Sequence, residues 1–183
     1  MDLVSGEALR DAMRQWTTGV AVLTSRIPDM QHGMTVNSFT SISLDPPLVC
    51  VTLANTTRTR NLVEQSGIFG VTILAEDQVE IANRFAGWIP ENEDRMAGIE
   101  TYTLVSGSPL LTGGLVGLDC RVVHRYPMTD STLYIGEVLA IQHQRTEQPL
   151  VYHNRVYHRL CDGGERVNRA RKTISIEDRT RGD

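Results

Sequence analysis

The 183-residue chain contains little cysteine and has no long apolar run, and each shortage argues against a class of protein. Its three cysteines, Cys50, Cys120 and Cys161, are odd in number and widely spaced, which argues against a disulfide framework and for a reducing compartment. No apolar run approaches the roughly 20 residues that span a bilayer, and the first residues lack the basic and apolar blocks of a signal peptide. We therefore expect a cytoplasmic protein with no membrane association.

An excess of basic residues is also missing. The chain carries 18 Lys and Arg residues against 22 Asp and Glu residues, for a net charge of −4. Binding to nucleic acid usually requires a basic surface, so no nucleic-acid partner is expected. The composition is that of one globular domain, which we place at residues 1–160. Residues 161–183 have little to bury and are expected to form a mobile tail.

Several motifs that carry chemistry are absent as well. The sequence has no G-x-G-x-x-G for a Rossmann nucleotide site, no G-x-x-x-x-G-K-[ST] phosphate loop and no G-x-S-x-G nucleophile elbow. His153 and His158 are five residues apart, a spacing that puts them on opposite faces of an extended strand, and no C-x-x-C pair exists. No metal site is predicted.

The pattern of apolar residues predicts many strands and a few short helices. Ser5 can cap a first helix, and the helical spacing of Leu9, Ala12, Met13 and Trp16 predicts an apolar stripe that faces inward. Strands are predicted at 19–25, 33–39, 48–53, 68–74, 116–124, 133–140, 150–153 and 156–160, and helices at 58–65 and 77–85. Without regular βαβ alternation, these elements favour a mainly β fold, a closed antiparallel split β-barrel with a few short peripheral helices.

Three local signals refine this prediction. Pro28 and Asp29 indicate a hairpin turn between the strands at 19–25 and 33–39. Thr57 can cap the helix at 58–65. The apolar positions change parity around Gly136, which is what a β-bulge would produce.

The most informative stretch is GMTVNSFTSISLDPPLV at 33–49. Around it lie, in order, TTGVAVLT at 17–24, NTTRT at 55–59, FGVTIL at 69–74, LYIGEV at 133–138 and PLVYHNRVY at 149–157. Together these segments, over roughly residues 5–160, resemble the flavin reductase family of FMN-binding split-barrel proteins. The resemblance implies an NAD(P)H-dependent flavin reductase, with NADH favoured over NADPH, that transfers hydride to FAD or FMN. It also implies a homodimer, and an aromatic monooxygenase as partner that receives the reduced flavin by diffusion.

A flavin has a polar ring edge, a flat apolar face and an anionic tail, so its site needs small donors, an apolar floor and a phosphate cradle. Thr35, Asn37, Ser38, Ser41 and Ser43 are such donors, and the helix start at 55–59 with Arg58 can hold a phosphate. With the resemblance, the predicted flavin-binding residues are Thr35, Val36, Asn37, Ser38, Ser41, Ser43, Thr52, Leu53, Ala54, Asn55, Thr57, Arg58, Thr59, Arg84 and Phe85. Phe85 has an equally good interpretation as helix core.

The resemblance further implies that His153, Arg155 and Tyr157 approach the nicotinamide nucleotide, whereas the simpler interpretation is a strand end with surface side chains. No residue is predicted to act as a catalytic acid or base, because hydride transfer depends chiefly on positioning. One departure stands out: many relatives carry Gly-Asp-His-Thr where this chain has Thr129-Asp130-Ser131-Thr132, so Ser131 replaces a histidine.

Two alternatives stay open at this point. The chain could be a flavin- or haem-binding split-barrel carrier or sensor without turnover, an interpretation that Ser131 favours. It could also be an oxidase of a pyridoxine-type phosphate, although that reaction calls for more Arg and Lys than residues 35–43 contain.

Overall fold

The structure is a computed structural model that describes residues 4–87 and 94–161. Its helices are α1 (Gly6–Met13), α2 (Arg58–Ser66) and α3 (Val79–Phe85). Its strands are β1 (Thr18–Gly19), β2 (Ala21–Ile27), β3 (Met30–Val36), β4 (Thr40–Leu44), β5 (Pro47–Ala54), β6 (Ile68–Ile73), β7 (Thr101–Tyr102), β8 (Leu110–Leu111), β9 (Val116–Pro127), β10 (Ser131–His143), β11 (Val151–His153) and β12 (Val156–His158). None of the described helices is long and apolar enough to cross a membrane. The tail predicted at 161–183 lies, from residue 162 onward, outside the described residues.

One antiparallel sheet of seven strands dominates the fold, in the order β3-β2-β6-β9-β10-β5-β4. A smaller sheet joins β1, β11 and β12, and β7 pairs with β8. The prediction of a mainly β domain with a few short helices is confirmed. Within residues 4–87 and 94–161 the edge strands β3 and β4 do not pair with each other, so closure into a barrel stays a prediction.

Strand β2 lies between two apolar cores, which explains why its first three residues, Ala21 to Leu23, are all apolar. Ala21 and Leu23 pack into one core with Phe69 and Tyr134 among others. Val22 belongs to the other core, which contains Leu74, Phe85 and Leu150. Cys120 is fully buried in the first of these cores, whereas Cys50 is half-buried.

The three local signals in the sequence are all confirmed. Strands β2 and β3 form a hairpin in which Ile27 pairs with Met30 across the predicted turn. The Thr57 side chain accepts from the backbone N–H of Arg60 and so caps α2. The β9–β10 register shifts between Ile135 and Gly136, and a Cβ at Gly136 would collide with the ring of Phe69.

The prediction that the stripe of α1 faces inward is wrong for the single chain. Ser5 does cap the helix, but no residue of α1 is buried, Ala12 included. Leu9 is 58% exposed, Met13 52% and Trp16 67%. Helical spacing identifies which residues share a face, but it does not say what covers that face.

Candidate functional site

Strand β3, an edge strand of the main sheet, and the segment after it line three neighbouring cavities. Cavity B, of about 360 Å³, is lined by His32, Met34, Thr35, Thr56, Thr57, Arg58, Thr59, Phe85, Ala86 and Arg95. Cavity A, of about 410 Å³, is lined by Val20, Thr35, Val36, Asn37, Asn83, Ala86, Tyr152, Arg155, Val156 and Tyr157. Cavity C, of about 590 Å³, is lined by Met13, Trp16, Thr17, Thr18, Gly19, Asn37, Ser38, Phe39 and Thr40. Thr35 and Ala86 line both A and B, and Asn37 lines both A and C, so the three cavities adjoin, and we refer to them together as the groove.

Cavity B has the features of an anion site. The N-terminus of α2 opens into it at Thr57, whose hydroxyl also donates to the carbonyl of Ala54 at 2.9 Å. Helix N-termini present backbone N–H groups and a partial positive charge. Arg58 and Arg95 add two guanidinium groups to the lining. This combination suits a phosphate group.

His32 connects β3 to α2 inside cavity B. Its Nδ1 lies 2.8 Å from Oγ1 of Thr59, a fully buried residue. Burial, followed by the charges of Arg95 and Arg58, lowers the pKa of His32 to about 4, against a smaller opposing effect of Asp94. The ring is therefore neutral near pH 7 and adds no charge to the site. His32 was not among the predicted site residues, because nothing in the strand pattern distinguishes it from a surface histidine.

The cation that reaches cavity B from the region after α3 is Arg95, which the sequence analysis did not identify. Arg95 donates to the carbonyl of Phe85 at 3.2 Å. Arg84, the residue that was predicted, donates from Nε to the carbonyl of Arg95 at 2.8 Å and from Nη2 to the carbonyls of Asp94 and Ala97. It lines none of the three cavities and holds the segment that carries Arg95. Phe85 is fully buried, as its core interpretation predicted, and also lines cavity B.

Cavity A has a more apolar lining than cavity B. The rings of Tyr152 and Tyr157 lie on its wall with centroids 5.4 Å apart, and both belong to the β11–β12 hairpin. The turn of that hairpin, Asn154 and Arg155, has positive φ at both residues (46° and 65°), as in a two-residue hairpin turn. On the opposite side the Thr35 hydroxyl donates to the carbonyl of Ala82 at 2.6 Å, which ties β3 to α3.

The predicted nucleotide residues divide between two faces of the hairpin. Arg155 and Tyr157 line cavity A. His153 does not; its Nδ1 lies 3.0 Å from Oγ1 of Thr17. Neighbouring residues of a strand point to opposite faces, so Tyr152 reaches cavity A where His153 cannot. Tyr152 and Asn83 were not among the predicted site residues. Tyr152 could have been found, because it pairs with the predicted Tyr157 across the β11–β12 hairpin, and paired residues share a face of the sheet.

The remaining flavin residues that were predicted are spread more widely. Ser38 lines cavity C and donates to the carbonyl of Thr52 at 2.8 Å. The Leu53 side chain is fully buried in the core, so only its backbone is available to a ligand. The others that line none of cavities A–C are Ser41 and Ser43 on β4, Thr52 and Ala54 on β5, and Asn55.

Asn55 holds the turn that carries Ser131. Its Nδ2 donates to the carbonyls of Met128 and Thr129, and its Oδ1 accepts from the Thr132 hydroxyl at 2.7 Å. The Ser131 hydroxyl donates to Asp130 at 3.2 Å, and Ser131 lines none of cavities A–C. Asn55 thus supports the loop beside the α2 N-terminus.

The donor set of the groove fits a flavin together with a nicotinamide. Cavity B offers cations and a helix N-terminus for the phosphate of a flavin, and cavity A offers aromatic and aliphatic walls with amide groups for flat rings. In the part of the chain that the structure describes, no cluster of His, Cys, Asp or Glu could hold a metal ion.

Comparison with known proteins gives a consistent family match. The family model described as "Flavin reductase like domain" matches residues 13–161. An NADH-dependent flavin reductase of a Rhodococcus species is 38% identical over 148 residues, which cover 79% of this chain and 81% of the relative. The actinorhodin polyketide dimerase of Streptomyces coelicolor is 36% identical over 154 residues, which cover 84% of this chain and 85% of the relative.

Solved structures agree with the sequence relatives. The structure of the styrene monooxygenase flavin reductase of Pseudomonas putida S12 superposes with a TM-score of 0.75 at 36% identity, covering 84% of this chain and 97% of that one.

Proposed function

This chain belongs to the flavin reductase-like family, and from that membership we propose how its groove carries out the reaction and where the product goes. The enzyme is an NADH-dependent flavin reductase that transfers hydride to FAD or FMN. The observation that carries our assignment of the site is the continuity of the groove, since Thr35 and Ala86 line both the cationic cavity B and the aromatic cavity A. A phosphate in B would therefore place a ring system beside A.

In our proposal the protein contributes positioning. When both ligands are bound, the chemistry they supply is hydride transfer from the dihydronicotinamide C4 to the flavin N5, which requires stacked rings in near contact. Arg58, Arg95 and the α2 N-terminus would hold the flavin phosphate. Arg155, Tyr152 and Tyr157 would hold the nucleotide. No side chain of the groove needs to give or take a proton for the hydride to move.

Anaerobic mixing tests the reaction directly. Purified protein mixed with FAD or FMN and then with NADH should bleach the oxidised-flavin absorbance, and NADPH should do so more slowly. Omitting the protein or the nucleotide provides the controls. A carrier or sensor would bind flavin without steady NADH oxidation, so that result would favour the alternative.

We further propose that the reduced flavin leaves to serve a separate oxygenase. The related reductase of Pseudomonas putida is named for styrene monooxygenase, which supports a two-component arrangement for this chain too. Stopped-flow mixing of the reduced reductase with an added flavin-dependent oxygenase should show transfer at a rate limited by flavin release. Reduced flavin that stays bound throughout turnover would contradict release. The three cysteines are all unpaired, which supports a cytoplasmic setting for this exchange.

A homodimer is the assembly that we propose, with Leu9 and Met13 of α1 and Trp16, which follows the helix, at the interface. These side chains are more than half exposed in the single chain, and Met13 and Trp16 also line cavity C, next to Asn37. A second copy on this face would cover the apolar side chains and close the groove from that end.

Replacing both Met13 and Trp16 by Lys should shift the protein from dimer to monomer in analytical ultracentrifugation, because charges oppose burial at an interface. The exposed pair Met30 and Ile141, which line none of cavities A–C, supplies the matched double Lys control. A dimer unaffected by the Met13 and Trp16 changes would place the interface elsewhere.

A further inference from the structure

Asn83 has a buried side-chain oxygen that no protein group satisfies. Its Oδ1 is inaccessible to solvent, and no donor among residues 4–87 and 94–161 lies within hydrogen-bond distance. Asn83 is one of the residues that line cavity A. Buried polar atoms are nearly always hydrogen-bonded, so an exception in a cavity wall points to a partner that arrives with a ligand.

The backbone around Asn83 is held firmly on both sides. The carbonyl of Ala82 accepts from the Thr35 hydroxyl at 2.6 Å, and Arg84 donates to the carbonyl of Arg95 at 2.8 Å. Phe85, two residues on, is fully buried in the core. The backbone at Asn83 is therefore fixed before any ligand binds, so only the side-chain amide has to orient toward a ligand.

The chemistry of the atom defines its partner. A carboxamide oxygen only accepts hydrogen bonds, so the ligand must supply a donor, most simply an amide N–H. Two sources fit this description: the ring N–H of the flavin and the carboxamide of the nicotinamide. We assign the donor to the nicotinamide, because the residues to which the nucleotide is assigned, Arg155, Tyr152 and Tyr157, line the same cavity as Asn83.

We propose that Asn83 Oδ1 accepts a hydrogen bond from the carboxamide N–H of the dihydronicotinamide and is a specificity-determining residue for that substrate. This inference rests on the proposed placement of the nucleotide in cavity A. It implies that the enzyme distinguishes nucleotides by the group at this position of the ring, because an analogue that lacks the N–H leaves the Asn83 oxygen unsatisfied.

A pair of nucleotides isolates this contact. Oxidised NAD and its 3-acetylpyridine analogue carry the same phosphates and a carbonyl at the same place, but only NAD carries the amide N–H. Titration of each into the flavin-loaded protein, followed by flavin fluorescence, measures binding without turnover. Wild type should bind NAD about 10-fold more tightly than the analogue.

Three variants make the test decisive. Asn83→Leu should abolish the preference and leave flavin affinity unchanged. Asn83→Asp keeps an acceptor and should retain the preference for NAD over the analogue. Its negative charge should weaken the binding of both nucleotides equally, since the two carry the same phosphates. Asn61→Leu, at an exposed position of α2 that lines none of cavities A–C, is the matched control and should behave as wild type.

Two results would overturn the inference while leaving the reductase assignment intact. The first is an active wild-type enzyme whose Asn83→Leu variant keeps the full preference. The second is an Asn83→Leu variant that loses affinity for flavin but keeps its preference for NAD over the analogue. That result would mean that the Asn83 oxygen contacts the flavin ring. A wild-type protein that oxidises no NADH would refute the proposed function itself, and with it this inference.

Discussion

Cavities A and B meet at Thr35 and Ala86, yet their polar groups are arranged in different ways. In cavity B the polar side chains already have protein partners: His32 contacts Thr59, and Arg95 donates to the Phe85 carbonyl. In cavity A the buried oxygen of Asn83 has no partner within the described residues. We therefore expect cavity B to be a preorganised anion site and cavity A to be completed by the ligand that it selects.

The largest effect that would test this difference is expected at Arg58. Arg58→Met should raise the Kd for FMN about 30-fold, since a charge-assisted contact to phosphate contributes about 2 kcal/mol. Riboflavin, which has no phosphate, should bind nearly as before. Fluorescence quenching of the two flavins measures both constants.

Arg26→Met supplies a matched control, because Arg26 lies on β2 and lines none of cavities A–C. If Arg58→Met weakened the binding of riboflavin as much as that of FMN, cavity B would not be the phosphate site. The proposed difference between cavities A and B would then be wrong.

A smaller effect is expected from pH, through His32. The pKa of its ring is about 4 in the folded protein and near 6.5 in an unfolded chain. Between these two pH values the unfolded state binds a proton that the folded state does not bind. The stability contributed by a neutral His32 is therefore complete above pH 6.5 and falls as pH drops toward 4. After allowance for solvent near a half-exposed ring, the loss should be about 1–2 kcal/mol.

Urea unfolding at pH 7 and pH 4.5 measures this loss. His32→Gln should remove that part of the pH dependence, whereas His124→Gln, at an exposed position on β9, should not. If the stability of His32→Gln depended on pH as that of the wild type does, the ring would be able to take up a proton inside cavity B. Cavity B would then be less rigid than a preorganised anion site.

The smallest effect is expected on the wall of cavity A. Tyr157→Leu removes one of two neighbouring rings and should raise the KM for NADH about fivefold, in line with the roughly 1 kcal/mol of an aromatic contact. The KM for flavin should change little, and Tyr157→Phe should behave as wild type. Tyr126→Leu, an exposed tyrosine outside cavities A–C, is the control. A change confined to the flavin KM would assign this wall to the flavin.

Much of the fold was predictable because its signals are local. The β2–β3 hairpin, the Thr57 cap and the bulge at Gly136 depend on turn residues, a hydroxyl and a change of parity within a few positions. Arg58 was predictable for the same reason, since a cation in the first turn of a capped helix lies beside the N-terminus whatever the rest of the chain does.

Other parts of the site were decided by distant contacts. Arg95 rather than Arg84 reaches cavity B because Arg84 is engaged by backbone carbonyls of the following segment. Tyr152 rather than His153 lines cavity A because pairing of β11 with β1 and β12 determines which face is turned inward. The stripe of α1 is exposed because nothing among residues 4–87 and 94–161 covers it.

The sequence by itself determined most of the strands, the Ser5 and Thr57 caps, the β2–β3 turn and the family, because these depend on residues close together in the chain, whereas β4, β7 and β8 were not predicted. Only the tertiary structure decided that Asn83 of α3, His32 of β3 and the tyrosines of the last hairpin share one groove. The reason is physical: which side chains meet across that groove depends on sheet order and strand register, and these are set by packing between segments far apart in sequence.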